Sequence, residues 1–146
     1  MSMSNFVKAF VDLEQDESGY PPVARESLWV SPVEGDVYTI ENVPFFIRGL
    51  ALGDRVLVGH EDAGMRITSI VAESGHGTVR ILFSDAASVQ ATRDELKLLG
   101  CSSELSHLPR LVAVDIPPDA DRQKVQKYLD EGEAGQRWQY EVGVTF

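Results

Sequence analysis

The fold class is decided by the stretch Thr78-Val-Arg-Ile-Leu-Phe83 and by the residues that follow it. The stretch is rich in β-branched and aromatic residues, which favours a strand. Ser84 or Asp85 then offers an N-cap, and residues 86–99 have the apolar spacing of a helix. Gly100 suits the left-handed position that often closes a helix. A strand followed by a helix is therefore predicted at 78–99.

Four further elements are predicted after this first strand and helix. They are a short strand at 101–105, a strand at 111–116, a helix from Asp119 or Asp121 to about 131, and a strand at 137–142. Gly132 and Gly135 are expected to end the second helix. The order strand, helix, strand, strand, helix, strand is the split βαβ pattern, so the second half is predicted to be ferredoxin-like.

The first half of the chain has a different period, because it contains no helical window. Short β segments alternate with turn signals, and they are predicted at 6–13, 26–30, 37–42, 55–60 and 65–72. Leu50-Ala-Leu-Gly-Asp-Arg-Val-Leu-Val58 resembles a turn and strand common in SH3-like barrels. We therefore predict an α+β chain. A small SH3-like antiparallel β-barrel would occupy 1–75 and the ferredoxin-like half 76–146, or the two halves would form one compact unit.

Composition narrows the class of protein and its partners. The 146 residues carry a net charge of −10 and one cysteine, Cys101, which rules out an intramolecular disulfide. No apolar run reaches the ~20 residues needed to cross a bilayer. Residues 1–5 resemble no secretory signal, so a cytoplasmic location is expected. An acidic chain is a poor partner for nucleic acid or an anionic membrane, whereas a basic protein surface is a plausible partner.

The sequence contains little catalytic or metal-binding chemistry. His60, His76 and His107 have no metal-ligand spacing, so neither a metal site nor a cofactor is expected. His76 lies between two glycines and has two interpretations. It is either a turn histidine bonded to the local backbone, which we favour, or an acid–base group that works with a carboxylate such as Asp54 or Glu26.

Three other groups have a functional and a structural interpretation, and the structural one is favoured for each. Cys101 and His107 have the residue types of a thiolate pair, but a buried, inert thiol is expected. The carboxylates at 12–17 lack the loop glycine of an EF-hand, so a solvated loop is expected. An aromatic groove for an extended peptide competes with packing in the core of a small barrel; its residues would be Tyr20-Pro-Pro22, Trp29, Phe45, Phe46 and Arg48.

A series of motifs along the chain resembles the bacterial family DUF4265. The motifs are Phe10-Val-Asp-Leu-Glu-Gln-Asp-Glu-Ser-Gly-Tyr-Pro-Pro22, Glu26-Ser-Leu-Trp29, Asn42-Val-Pro-Phe-Phe46, Gly49 with Gly53-Asp54, Ser74-Gly-His76 with Thr78-Val-Arg80, Leu99-Gly-Cys101 and Ala113-Val-Asp-Ile-Pro-Pro118. The resemblance spans nearly the whole chain, and it implies a fold family without implying catalytic residues. Because small acidic members of such families are often encoded beside toxins, it also makes an immunity role plausible.

Three functions remain open at this level. The first is a non-enzymatic protein-binding module that neutralises a toxin by occluding it. The second is a small hydrolase or ligand-binding enzyme that uses His76, and the third is a ligand-sensing regulatory domain. For the first, turn carboxylates would steer encounter and three larger side chains would anchor the complex. The steering residues would be Asp12, Glu14, Asp16, Glu17, Glu61 and Asp62, and the anchors Tyr20, Trp29 and Arg48.

Overall fold

The computed structural model describes residues 5–146 and divides the chain into two compact units, one up to Ser74 and one from Gly75 onward. No secretory signal is expected in residues 1–5, and of these Met1–Ser4 lie outside the described residues. The first unit contains β1 (Val7–Asp12), β2 (Arg25–Glu34), β3 (Val37–Ile40), β4 (Arg55–Glu61) and β5 (Gly64–Ala72). The second contains β6 (Gly77–Phe83), α1 (Val89–Leu98), β7 (Ser102–Leu105), β8 (Leu111–Ile116), α2 (Arg122–Ala134) and β9 (Trp138–Val144). The prediction of a mixed α+β protein is confirmed.

The first unit is a five-stranded sheet in which consecutive strands pair antiparallel. In addition, β1 meets β5 in parallel at one pair, Phe10 and Arg66. The interior is made by alternate residues that point to one face, as the period of a strand requires. They include Ala9, Leu28, Val30, Ile40, Leu50, Val56 and Val58.

Strand β2 is longer than predicted, because it continues through Pro32 to Glu34 instead of turning at 32–35. The register with β3 shifts between Pro32 and Glu34. A proline has no N–H to donate to the ladder, and a bulge is one of the places where a sheet tolerates that loss. The local turn signal therefore marked an irregularity in the strand rather than its end.

The second unit is a four-stranded sheet in the order β7-β8-β6-β9, with two helices. One predicted capping aspartate begins each helical segment, although the N-cap of α1 itself is Ser88, which makes no side-chain cap bond. Asp85 accepts a hydrogen bond from the N–H of Ala87 in the short 3₁₀ turn before α1, and Asp121 accepts one from Lys124 in α2. Both helices contribute to one apolar cluster, so they cover the same face of the sheet. That cluster includes Val79, Ile81, Phe83, Val89, Leu96, Val112, Val114, Ile116, Val125, Leu129 and Trp138.

Of the two glycines predicted to end helix α2, Gly135 is its C-cap, whereas Gly132 lies inside the helix, which continues to Ala134. Gly132 has a packing role instead: a Cβ at this position would lie 1.9 Å from Cζ2 of Trp138. The indole ring occupies that space and donates its N–H to the carbonyl of Leu129 at 3.1 Å. The absence of a side chain in the last turn of α2 thus allows the largest buried side chain of the unit to pack against it.

Among residues 5–146, neither helix has the length and apolar character that a transmembrane span requires.

Candidate functional site

The loop that follows β3 is anchored to β2 by one carboxylate. Glu26 is buried, and it accepts hydrogen bonds from the backbone N–H groups of Phe45, Phe46 and Ile47 at 2.6, 3.0 and 2.8 Å. Hydrogen bonds to a charged acceptor are among the stronger ones in proteins. The backbone that carries the two phenylalanines is therefore held in one conformation.

The predicted aromatic residues separate into two places. Tyr20 lies edge-on to Phe46 with 6.4 Å between the ring centroids, and Phe46 also contacts Phe45. Trp29 instead packs beneath the ammonium group of Lys8, which is 4.7 Å from the ring centroid. Tyr20 is 44% exposed and Trp29 39% exposed, so the favoured expectation that both rings pack in the core is wrong. Arg48, the third predicted anchor, is also exposed.

Asp16 shapes the acidic loop that leads to Tyr20. Its Oδ1 accepts hydrogen bonds from the hydroxyl of Ser18 and from the N–H groups of Ser18 and Tyr20, at 2.6, 2.9 and 3.0 Å. The contact with the Ser18 hydroxyl and then the Tyr20 N–H hold the pKa of Asp16 below its usual value. Asp16 therefore has a local structural role, whereas Glu14 and Glu17 are exposed in the same loop.

Asp12 and Glu61 are also engaged within the first unit. Arg66 donates to Asp12 at 2.7 Å and to Glu61 at 2.7 Å, while Arg25 donates to Asp12 at 2.7 Å. The guanidinium groups of Arg25 and Arg66 lie 3.8 and 4.6 Å, respectively, from the ring centroid of Phe10. Hydrogen bonds from Arg66 and then Arg25 lower the pKa of Asp12. Of the six predicted steering carboxylates, Asp12, Asp16 and Glu61 thus have internal partners, which corrects the premise that turn carboxylates had no other role.

His76 in the second unit pairs with a carboxylate that the sequence analysis did not consider. Its Nδ1 lies 2.8 Å from Oδ1 of Asp115, on β8. His76 is partly exposed and Asp115 is buried. Burial raises the pKa of Asp115, and the hydrogen bond with His76 opposes that shift. A buried carboxylate that fixes the orientation of an imidazole is a common element of acid–base sites.

The two carboxylates proposed to assist His76 have other roles. Asp54 accepts hydrogen bonds from the N–H of Ala51 and from both the N–H and the hydroxyl of Ser74, at 3.0, 2.8 and 2.8 Å. Glu26 anchors the aromatic loop. The expected pairing of His76 with Asp54 or Glu26 is therefore wrong, and Asp115 takes that position.

Cys101 is buried, and this burial raises the pKa of its thiol to about 11, with the charge of Asp115 adding to the shift. A thiol with so high a pKa is a poor nucleophile at neutral pH. His107 is exposed. Within residues 5–146, no group of three or more His, Cys, Asp or Glu side chains is arranged to hold a metal ion.

Two polar residues of the second sheet also escaped the sequence analysis. Asp115 lies in the apolar run Leu111–Ile116, and an acid in such a run is a signal of a buried polar contact. Arg80 lies in the apolar strand β6; its side chain is buried and donates to Glu141 at 3.2 Å. Both positions break an apolar pattern, and that irregularity was readable from sequence even though the partners were not.

The architecture defines a mixed α+β protein built from an all-strand unit and a unit of four strands and two helices. The profile of the family described as "Domain of unknown function (DUF4265)" matches residues 26–140, so the chain belongs to this family and the expected resemblance is confirmed. No curated protein matches the chain.

The chain is also similar to a solved structure, described as the crystal structure of a hypothetical protein from Neisseria gonorrhoeae. The two share 20% sequence identity with a TM-score of 0.76, and the likeness covers 94% of this chain and 95% of that chain. At this identity the comparison supports the fold and carries no function.

Proposed function

We propose that this protein is a non-enzymatic binding module that neutralises a basic partner protein by occluding it, as an immunity protein does with a toxin. The proposal rests chiefly on the exposed ring of Tyr20, which packs against Phe46 on a loop whose backbone Glu26 anchors. Because Phe46 lies on the anchored backbone and packs against the Tyr20 ring, that ring is restrained and loses little conformational freedom when it binds. Tyrosine and tryptophan are also the residues on which binding energy most often concentrates.

The charge of the chain supports a basic partner. The net charge is −10, and Glu14, Glu17 and Asp62 are exposed carboxylates of the first unit. Complementary charge mainly accelerates encounter, and salt screens it over a Debye length of about 8 Å at physiological ionic strength. The proposed site of action is the cytoplasm, and neither nucleic acid nor a membrane is part of the proposal.

A finer fold assignment accompanies this proposal. Pairing of β1 with both β2 and β5 supports an SH3-like barrel for the first unit. In the second unit, β6 and β8 are central, β7 and β9 lie at the edges, and both helices cover one face. That arrangement supports a ferredoxin-like half. Neither fold type carries a function by itself.

The test is the binding kinetics of the purified protein with the product of the adjacent gene, at low and high salt. The variant Glu14→Gln/Glu17→Gln/Asp62→Asn removes three exposed charges and should slow association about three-fold at low salt, with little change in dissociation. Tyr20→Ala, Trp29→Ala and Arg48→Ala should instead accelerate dissociation. Leu98→Ala, at an exposed position on α1, is the matched control and should change neither rate.

An association rate that is indifferent to salt and to the triple substitution would remove the electrostatic part of the proposal. Absence of binding to the neighbouring product, together with turnover of a small molecule, would replace it with the enzymatic alternative.

That alternative is a small hydrolase, and the pair His76–Asp115 favours it. The carboxylate of Asp115 orients the imidazole through Nδ1, and an imidazole held in this way can act as an acid–base group. The test is hydrolysis of a panel of p-nitrophenyl esters by the native protein and by His76→Ala. Loss of measurable hydrolysis in His76→Ala with an unchanged thermal midpoint would establish this role; equal rates would leave His76 as a structural residue.

A further inference from the structure

The four-stranded sheet of the second unit has two edges. Strands β7 and β9 are the outer strands, because the order is β7-β8-β6-β9. Among the residues that the structure describes, neither has another strand on its outer side. An edge strand presents N–H and C=O groups with which a strand of another chain can pair. These two edges are therefore the places where the sheet could associate with another molecule.

At the β9 edge, a carboxylate from helix α2 occupies an outward backbone group. The N–H of Tyr140 donates to Oε2 of Glu133 at 3.2 Å. In an antiparallel strand, alternate residues direct both backbone groups away from the partner strand. Tyr140 lies opposite Ile81 in the ladder with β6, and its bond to a side chain shows that it is one of these outward-facing residues. Val142, two positions later, is the next one.

At the β7 edge, a guanidinium group from helix α1 has the complementary role. Nη2 of Arg93 donates to the carbonyl oxygen of Ser103 at 3.1 Å, and Nε donates to the hydroxyl of the same serine at 2.9 Å. A third hydrogen bond, from Nη1 to Oε1 of Gln90 at 3.3 Å, orients the guanidinium along the helix. A donor thus occupies an acceptor at one edge, and an acceptor occupies a donor at the other.

The two backbone groups do not need these charged side chains for solvation. Glu133 is exposed, and Tyr140, Arg93 and Ser103 are only partly buried, so water has access to both places. At such positions a hydrogen bond to a side chain contributes little to stability beyond the bond to water that it replaces. The larger effect of each side chain is that it fills the space in which a neighbouring strand would lie.

Both edge strands have further features that discourage pairing. Strand β7 has only four residues, and β9 has an extra residue, Gly143, where its register with β6 shifts. Short strands and bulges are common ways in which natural sheets protect an edge. Tyr140 lies before this bulge, on the regular part of β9. Glu133 therefore acts where the bulge does not.

We propose that Glu133 and Arg93 are edge-blocking residues, which prevent β9 and β7 from pairing with a strand of another molecule. The strand that is excluded first is the β9 of a second copy, since every copy presents the same edge. Two β9 strands could otherwise pair antiparallel about a two-fold axis. Glu133 has the larger role, because β9 has seven residues and β7 has four. This inference is independent of the proposed binding function.

The first test compares variants of Glu133 by sedimentation equilibrium. Glu133→Ala should associate at concentrations about ten-fold lower than the native protein requires. Glu133→Gln should behave as the native protein does, because its amide oxygen can still accept the Tyr140 N–H. Glu131→Ala is the matched control, since it removes the same charge from α2 at a position 3.9 Å from Lys127.

Three outcomes of this comparison would overturn the proposal. Unchanged association of Glu133→Ala would show that the carboxylate blocks nothing. Equal association of Glu131→Ala would assign the effect to net charge. Association of Glu133→Gln to the same extent as Glu133→Ala would show that the hydrogen bond to the edge is not the cause.

The second test locates the contact. In associated Glu133→Ala, the amide hydrogens of Tyr140 and Val142 should exchange more slowly at high protein concentration than at low concentration. Val142→Pro removes an outward N–H that the ladder with β6 does not use, so the edge strand should tolerate it. Glu133→Ala/Val142→Pro should then sediment as the native protein does. Exchange protection at another segment, or continued association of the folded double variant, would contradict pairing through β9.

The third test addresses the shorter edge. Arg93→Ala should associate at concentrations about three-fold lower than the native protein requires, a smaller effect than that of Glu133→Ala because β7 is short. Lys97→Ala is the matched control, since it removes a positive charge one turn later on α1. If Arg93→Ala associates no more than Lys97→Ala, Arg93 does not block the β7 edge, and that part of the proposal is wrong.

Discussion

One carboxylate in each unit has an electrostatic environment opposite to that of the other. In the first unit, Asp12 lies at the surface between two arginines, and their hydrogen bonds lower its pKa. In the second unit, Asp115 is buried in a strand, and burial raises its pKa although His76 opposes the shift. A surface carboxylate with cationic partners is stabilised as an anion, whereas a buried one is shifted toward its neutral form.

The difference extends to how each unit holds its irregular segments. The first unit fixes loops with buried or paired carboxylates, such as Glu26 at the aromatic loop and Asp54 at Ser74. The second relies on close apolar packing, of which Trp138 over Gly132 is the clearest case. Substitutions should therefore destabilise the two units by different mechanisms. Three predictions test this contrast, and a fourth tests the effect of burial on Cys101.

The largest effect is expected for Gly132→Ala. The new Cβ would lie 1.9 Å from Cζ2 of Trp138, so the indole must move out of its buried position. Overpacking typically costs about 1–3 kcal/mol of unfolding free energy, and a contact this close should lie at the upper end of that range. Gly59→Ala is the control in the first unit, because its Cβ would lie 3.5 Å from the Thr68 methyl group, an ordinary contact. Urea unfolding measures both, and similar losses for the two variants would contradict the packing argument.

A smaller loss is expected for Glu26→Gln. The amide side chain keeps the shape of the acid but loses its charge and places an NH₂ group toward backbone donors. Hydrogen bonds to a charged group contribute about 2 kcal/mol, so unfolding free energy should fall by about that amount. Glu34→Gln, at an exposed position on the same strand, should change stability little. Amide hydrogen exchange at Phe45–Ile47 should be faster in Glu26→Gln than in the native protein. Unchanged exchange there would show that the Glu26 carboxylate does not hold the loop in place.

The comparison of Asp12 with Asp115 predicts opposite pH dependences on either side of 3.8, the ordinary value for both groups. The stabilisation from Asp12 is present above that pH and is lost as the pH falls through its lowered pKa. The contribution of Asp115 is fully present below 3.8 and is lost as the pH rises through its raised pKa. Asp12→Asn should reduce the acid-side loss of stability, and Asp115→Asn should reduce the decline above 3.8.

An NMR titration of the carboxyl carbon chemical shifts measures the pKa values of Asp12 and Asp115 in the native protein, without any substitution. The midpoint of Asp12 should lie below that of Asp115. The reverse order would remove the contrast between the two units.

The last prediction involves no change in stability. Since burial raises the pKa of Cys101 to about 11, its reaction with a disulfide reagent at pH 8 should be slower than that of an ordinary thiol by roughly a hundred-fold, from thiolate fraction alone. Unfolding in urea should restore the ordinary rate. Rapid labelling of the folded protein would show that the thiol is accessible.

Local pattern was sufficient for most of the elements, because a cap depends on residues two or three positions away. Of the two candidates for each helix, Asp121 is the N-cap of α2, whereas Asp85 caps the 3₁₀ turn before α1 and Ser88 is the N-cap of α1. The role of Gly132 was missed, because a glycine near the end of a helix resembles a stop signal until the position of Trp138 is known. Local rules describe neighbours along the chain, and that contact forms between a helix and the strand after it.

The candidate site was less predictable for the same reason. His76 was named as a candidate, but its partner Asp115 is 39 positions away, on β8. Tyr20 and Trp29 were expected in the core because aromatic residues are usually buried. Their exposure depends on which face of each segment meets the sheet interior, and spacing alone did not determine that face.

The anchor at Glu26 has a consequence for how this protein can evolve. The carboxylate binds the N–H groups of residues 45–47 and therefore does not depend on the identity of their side chains. Substitutions at these positions can change the side chains that the loop presents, one at a time, while the loop keeps its conformation. Proline is the exception, because it has no N–H to donate. A lineage that acquires a new partner can thus change the rings of this loop and retain Glu26, with proline excluded from 45, 46 and 47.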